Sequence, residues 1–315
     1  MTYLGIDLGA TTIYAVVGDE NGDVLGRDSR PTPQGPDCEA VTNAFLGSAR
    51  AACADASVDP DSLLAAGIAS IGPLDTDDGV VRDPANLPDT VGEIPVVEPL
   101  ERLVDCPVTL HNDATAGLLG ERFDVENPPD DAVYLTLSSG IGAGICVDGS
   151  ALEGWNGNAG EVGHFTVDGD GTMPCGCGKR GHWEAYCSGD NIPRYARRLH
   201  DGEPTSLPLS DESFGAADVF AAAGGDAFAD SVLDRVAEWN AHGVATLVHA
   251  YAPEVVSVGG RVALENPGVV EGIRDRLPDL VMTSTPDIRL TPLGEEVVVR
   301  GALASAVASV SDGGN

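Results

Sequence analysis

Apolar and polar positions in this chain fall into short blocks, and the blocks come in a repeated order. Residues 3–9 (YLGIDLG) and 12–19 (TIYAVVGD) are apolar runs of strand length on either side of the small-residue stretch GATT. An Asn-Gly pair at Asn21 and Gly22 then predicts a hairpin into a third strand, VLGRDSR. After the Pro/Gly stretch PTPQGPD, an alanine-rich block over residues 39–55 predicts a helix. LAAGIASIG reads as a buried strand, VVEPLERLVDC as a short helix, PVTLHND as a strand and ATAGLLGER as a helix from residue 114. Beyond the polar linker DVENPPDD, the strands AVYLTLSSG and IGAGICVDG repeat the opening theme of strand, small turn, strand.

Further on, VAEWNAHGVATLVHAYAPE predicts a long amphipathic helix ended by Pro253. VVSVGG predicts a strand running into a glycine turn, and VVVRGALASAVASV a last strand or turn followed by a helix. Residues 200–230 carry little pattern. Two halves with the same opening predict two related α/β domains, 1–112 and 113–315, the last helix (about 300–312) packing back on the first.

Charge changes the picture more than composition does. Of the 315 residues, 50 are acidic and 17 basic, a net charge of −33. That argues against nucleic acid and anionic membranes as partners. The acids are scattered along the chain, as on the solvated surface of a salt-adapted, halophilic protein. No basic, apolar leader opens the chain, and seven cysteines do not suggest a disulfide framework, so a reducing cytoplasm is expected.

Five stretches carry candidate chemistry. DLGATT (Asp7, Gly9, Thr11, Thr12) lets backbone N–H groups and hydroxyls approach a phosphate, with Asp7 placed to hold the water shell of Mg²⁺. LSSGIGAG (Ser138, Ser139, Gly140, Gly142) offers the same at the matching point of the second half; each alone also fits a plain hairpin. In HNDATAG, Asp113 reads either as a helix N-cap or as a general base for phosphoryl transfer, with Asn112 beside it. GNAGEVGHF runs into a loop where His164, Cys175, Cys177 and His182 supply the donors of a structural zinc site, with Cys187 a rival ligand. SVGGRV brings Gly259 and Gly260 to a strand end where a nucleotide can lie on backbone.

Together these residues resemble the ROK family (repressor, open reading frame, kinase) of sugar kinases. GIDLGATTI is similar to its first phosphate motif, NDATAGLLGE to its catalytic motif and LSSGIGAGI to its second phosphate motif. GNAGEVGH followed by CGCGKRGHWEAYCSG is similar to its signature. DPANLP, residues 83–88, resembles the sugar-side loop of the family's glucokinases.

The resemblance implies an actin-like ATPase or hexokinase-like (ribonuclease H-like) fold, two α/β domains around a central cleft. It implies ATP with Mg²⁺, a hexose substrate, structural Zn²⁺ and a homodimer or homotetramer. Asp113 becomes the catalytic base for the 6-hydroxyl of glucose, with Asn86, Asn112, Glu161, His164 and Glu184 on the sugar. His164 serves twice, one ring nitrogen on zinc and the other toward the sugar. Two residues depart from the family pattern: His182 stands where members carry a third zinc cysteine, and Thr12 where many carry Lys. N-acetylglucosamine, N-acetylmannosamine and fructose kinases, a polyphosphate donor and a non-catalytic sugar sensor are the rivals. The family's repressors carry an N-terminal helix-turn-helix, for which the start of the phosphate motif at residue 5 leaves no room here.

Overall fold

The computed structural model describes residues 1–84, 87–123, 125–155 and 157–311. Its first half opens with a meander of β1 (Tyr3–Leu8), β2 (Thr12–Gly18) and β3 (Val24–Pro31), antiparallel throughout. The β2–β3 turn is tightened by Asp19, whose Oδ1 accepts the N–H groups of Asn21 and Asp23. Asp37 caps α1 (Cys38–Ala56) by accepting from the Ala40 N–H. β4 (Ala66–Ser70), buried along its whole length, lies parallel to β1. Three two-residue strands, β5 (Leu74–Asp75), β6 (Val80–Val81) and β7 (Ile94–Pro95), make a small side sheet. There Arg82 pairs with Asp75, Asp78 and Glu93. α2 (Val97–Val104) precedes β8 (Val108–Asn112), parallel to β4, and β8 runs directly into α3 (Asp113–Phe123). The strand order is β3-β2-β1-β4-β8.

The second half repeats this plan. β9 (Ala132–Leu137), β10 (Ile141–Val147) and β11 (Ser150–Ala151) form the meander. A long loop and four helices follow: α4 (Glu184–Cys187), α5 (Ile192–Leu199), α6 (Ala216–Ala221) and α7 (Ala227–Tyr251). β12 (Val255–Gly259) then enters parallel to β9, and after α8 (Arg261–Glu265) and α9 (Gly268–Arg276) comes β13 (Asp287–Leu290), parallel to β12. The order β11-β10-β9-β12-β13 matches the first sheet strand for strand.

α10 (Val297–Ser311) closes the chain. The valine run at its start reads as strand or turn in sequence, but it is helical from Val297. It packs on β1, β4 and α3, with Val299, Leu303 and Ala306 in one cluster with Tyr3, Val16 and Ala65. Tertiary burial here overrides the strand preference of β-branched residues. The approach to α3 is close enough to need glycine: a Cβ on Gly301 would lie 1.6 Å from the Ala116 carbonyl oxygen. α7 begins nine residues before the sequence pattern shows it, at an Asp226 cap. Each half has its own apolar core, one around Ile6, Phe45 and Ile68, the other around Leu135, Trp183 and Val244. Among the described residues, no helix is long and apolar enough to cross a membrane.

Candidate active site

Both hairpins end in the turns that the sequence marks for phosphate. In the first, the Gly9 N–H donates to the Thr12 carbonyl across the turn, and Asp7 sits one residue before the end of β1. Thr32 fixes this turn from β3's side: its hydroxyl donates to the Gly9 carbonyl at 2.7 Å and its N–H to the Thr11 carbonyl. Gln34 donates to Ala10. Thr12 opens β2 and is exposed.

The second turn is held from a different quarter. The Ser138 N–H donates to the Gly140 carbonyl, and the Ser138 and Ser139 carbonyls accept from the N–H groups of Gly189 and Asp190. Glu184 Oε2 accepts the Ile141 N–H at 3.0 Å. A Cβ at Gly140 would lie 2.8 Å from that same oxygen, so a larger residue there would have to push the Glu184 carboxylate aside. Gly142 follows inside β10. Gly259 ends β12 against Tyr134, and Gly260, at φ +81°, lies next to it against the Leu137 backbone.

Between the sheets, β8 delivers Asn112 and Asp113 to the start of α3. The Ala114 N–H donates to Asn112 Oδ1 at 2.9 Å and to Asp113 Oδ1 at 2.7 Å. Capping is thus shared, and the second oxygen of Asp113 has no hydrogen-bond partner among the described residues. Burial is the main cause that pushes the Asp113 carboxyl up to about 6, and the charge of Glu161 adds to it. Asp7 is pushed up to about 8, by burial first and by the charge of Asp113 second. Glu161 is raised by burial and by Glu184, against the opposing pull of His164. Asp7, Asp113, Glu161 and Glu184 therefore form one row of carboxyls that sense each other in sequence.

The long loop after β11 completes the row. His164 ends a 3-10 turn that starts from Glu161. Its Nε2 lies 3.6 Å from Glu161 Oε2, while its Nδ1 lies 3.8 Å from Cys175 Sγ. Cys177 Sγ is 3.3 Å from His182 Nδ1. One donor atom from each of these four residues lies within 4.8 Å of all the others. A tetrahedral zinc sets its nitrogen and sulfur donors about 3.6 Å apart, so the cluster fits zinc after a small contraction. Cys187, the rival ligand, lies elsewhere: it is fully buried and its thiol faces the Val236 carbonyl at 3.4 Å.

The loop is also braced by its own hydrogen bonds. Asp168 accepts from the Tyr186 hydroxyl and the Thr172 and Asp170 N–H groups, which hold its carboxyl down at about 2. Tyr186 in turn accepts the Met173 N–H. Glu184 Oε1 lies 3.9 Å from Cys175 Sγ, so this carboxylate links the Cys/His cluster to the second turn.

Asn86, expected on the sugar, lies outside the described residues. Sequence reasoning missed Thr32 and also Asn158, whose side chain reaches the first half at Leu74. Thr32 falls in no pattern that marks chemistry, while Asn158 sits inside the marked GNAGEVGH stretch but is not singled out within it.

Known proteins share this fold and part of this sequence. A model of the ROK family matches residues 3–308. A glucokinase of Pyrobaculum calidifontis is 37% identical over 305 residues, 96% of this chain and 94% of that protein. The ROK hexokinase of Thermus thermophilus superposes with a TM-score of 0.83 at 32% identity, covering 99% of this chain and 100% of that one. A ROK glucokinase of Streptomyces griseus, solved with glucose and AMPPNP, gives 0.79 at 29% identity, with 97% and 99% covered. The hexokinase-like α/β fold expected from the sequence is the fold of these neighbours, and this chain belongs to the ROK family.

Proposed function

We propose that this protein is a glucokinase that moves the γ-phosphoryl group of ATP to the 6-hydroxyl of glucose. The observation that carries the reading is Asp113: one oxygen is fixed by the Ala114 N–H, the other is unpartnered, and it stands between two turns suited to phosphate. With its carboxyl at about 6, Asp113 is mostly ionised at neutral pH yet basic enough to take a hydroxyl proton as the phosphorus is attacked. Glucokinases and ROK kinase structures among the similar proteins support the substrate.

In this reading Asn86, Asn112, Glu161, His164 and Glu184 hold the sugar hydroxyls. Carboxylates suit that work because each oxygen accepts more than one donor. Glu184 has Oε2 committed to Ile141, and Oε1, 3.9 Å from Cys175 Sγ, is the oxygen that would accept from the sugar. Asp7, Gly9, Thr11 and Thr12 face the phosphates from one side and Ser138, Ser139, Gly140 and Gly142 from the other, with Gly259 and Gly260 under the nucleotide. Asp7 fits a Mg²⁺ site, since a carboxyl raised by burial and by a second carboxylate regains its charge beside a cation; the ion would spread the phosphate charge during transfer. His164, Cys175, Cys177 and His182 would hold a structural zinc that stiffens the wall bearing Glu161 and Glu184. We place the domain boundary at residues 112/113, the protein in a salt-rich cytoplasm, and its assembly as a homodimer or homotetramer.

The test is ADP release with Mg·ATP, in concentrated KCl, against glucose, mannose, fructose, N-acetylglucosamine and N-acetylmannosamine. A clear preference for glucose is expected. Turnover of an N-acetyl sugar or fructose alone would overturn the substrate. Absence of turnover on every sugar, from folded protein and with polyphosphate also tried, would favour a sugar sensor.

A further inference from the structure

Gly157 and Asn158 of the second half lie against the small side sheet of the first, at β5 and the turn that follows it. Asn158 Oδ1 accepts the Leu74 N–H at 3.4 Å, and Asn158 Nδ2 donates to the Leu74 carbonyl at 3.3 Å. A side-chain amide thus pairs both backbone groups of one β5 residue, as a neighbouring strand would. Next to it Gly157, at φ +74°, leaves room for a Cβ only 2.9 Å from Thr76 Cγ2.

The segment that Asn158 grips leads back to Asn112, a residue of the proposed sugar site. Leu74 follows Gly72, whose Cβ position would lie 3.4 Å from Asn112 Nδ2. Asn158 lies three residues before Glu161 in the chain. The path Glu161–Asn158–Leu74–Gly72–Asn112–Asp113 therefore joins the carboxylate wall of the second half to the candidate base of the first.

We propose that Asn158 is a positioning residue for the sugar: its two-way pairing with Leu74 sets the spacing between the Glu161–His164 wall and the Asn112–Asp113 pair. The proposal rests on the kinase reading of the same site. Asn158 touches no reacting atom in this role and acts through the residues at either end of the path. Loss of the pairing removes two hydrogen bonds that hold the two walls in register, and the sugar must then supply that ordering from its own binding energy.

Asn158→Ala should raise the glucose KM and the glucose Kd, measured calorimetrically without nucleotide, by about tenfold. The Mg·ATP KM should stay within about twofold and kcat fall less than the glucose KM rises. Hydrogen exchange should quicken over residues 73–76 in the variant, with the rest of the fold unchanged. Asn158→Asp keeps the acceptor but loses the donor to the Leu74 carbonyl, and should fall on the same side as the alanine variant. An unchanged glucose KM, or an equal loss for glucose and ATP, would overturn the proposal; so would unaltered exchange at residues 73–76. Failure of the wild-type protein to turn over any sugar would count against the kinase reading, while the exchange measurement would still judge the Asn158–Leu74 pairing.

Discussion

The two hairpin turns have the same place in the same strand order, yet they are supported from opposite directions. The first is fixed by its own sheet, through the Thr32 hydroxyl and the Gln34 amide on the Gly9 and Ala10 carbonyls. The second is fixed by a distant loop, through Glu184 on the Ile141 N–H and through Gly189 and Asp190 on the serine carbonyls. That loop also carries the Cys/His cluster and continues from the wall with Glu161. One half thus treats its hairpin turn as an independent part, while the other ties turn, Cys/His cluster and the Glu161–His164 segment into one unit. Damage to the first turn should stay local, and damage to the second should reach both substrates.

Asp113 belongs to neither turn, which makes it the reference for the comparison and the site of the largest effect. Asp113→Asn keeps the size and the acceptor for Ala114 but removes the base. A fall in kcat of about 10³-fold is expected, with glucose and Mg·ATP binding preserved. Wild-type kcat/KM should fall as pH drops through about 6, because a carboxyl raised to that value is neutral below it and cannot accept a proton. The residual rate of the variant should lack that limb. A variant with wild-type kcat would remove Asp113 from the chemistry.

The next largest effect should come from the Cys/His cluster. Chelation, or Cys175→Ser with Cys177→Ser, should lower activity by about 100-fold, since small displacements of positioning groups cost that much. Both the glucose and the ATP KM should rise, and metal analysis should show about one zinc per chain lost. If only the glucose KM moves, the second turn does not depend on the cluster and the contrast between the turns fails.

Much of this site is legible in the sequence because its parts are local. Asn112 and Asp113 adjoin at a strand-to-helix step, and Cys175, Cys177 and His182 lie within one short loop. The supports are not legible, because they join residues far apart: Glu184 to Ile141 over 43 positions, Asn158 to Leu74 over 84. Nothing in a glutamate's own neighbourhood says which backbone N–H it will meet. β5, β6 and β7 have two residues each, too few to show any alternation. The valine run that opens α10 misleads because its helical form depends on burial against α3 and β1.

Glu184→Ala divides the second unit more finely. It frees the Ile141 N–H and removes an acceptor from the sugar side while leaving all four Cys/His donors in place. The loss of a charge-assisted hydrogen bond is worth about 2 kcal/mol, so each KM should rise by up to about thirtyfold. Zinc content should not change. A rise confined to glucose would assign Glu184 to the sugar alone and leave the second turn held by Gly189 and Asp190.

The smallest expected effect is the sharpest test of the contrast. Thr32 is only 4% exposed, and its hydroxyl donates to the Gly9 carbonyl at 2.7 Å. Thr32→Val keeps the shape and removes that one bond, worth about 1 kcal/mol. The Thr32 N–H still meets the Thr11 carbonyl, and Gln34 still meets Ala10, so the turn should loosen rather than unfold. The Mg·ATP KM should then rise about threefold to fivefold, while glucose binding without nucleotide stays at its wild-type value. The glucose result decides the matter. If the first turn is an independent part, nothing in its support reaches Asn112, Asp113 or the Glu161 wall. A matching loss of glucose affinity would mean that the first turn, like the second, is wired to the sugar side, and that the two halves share more than their strand order.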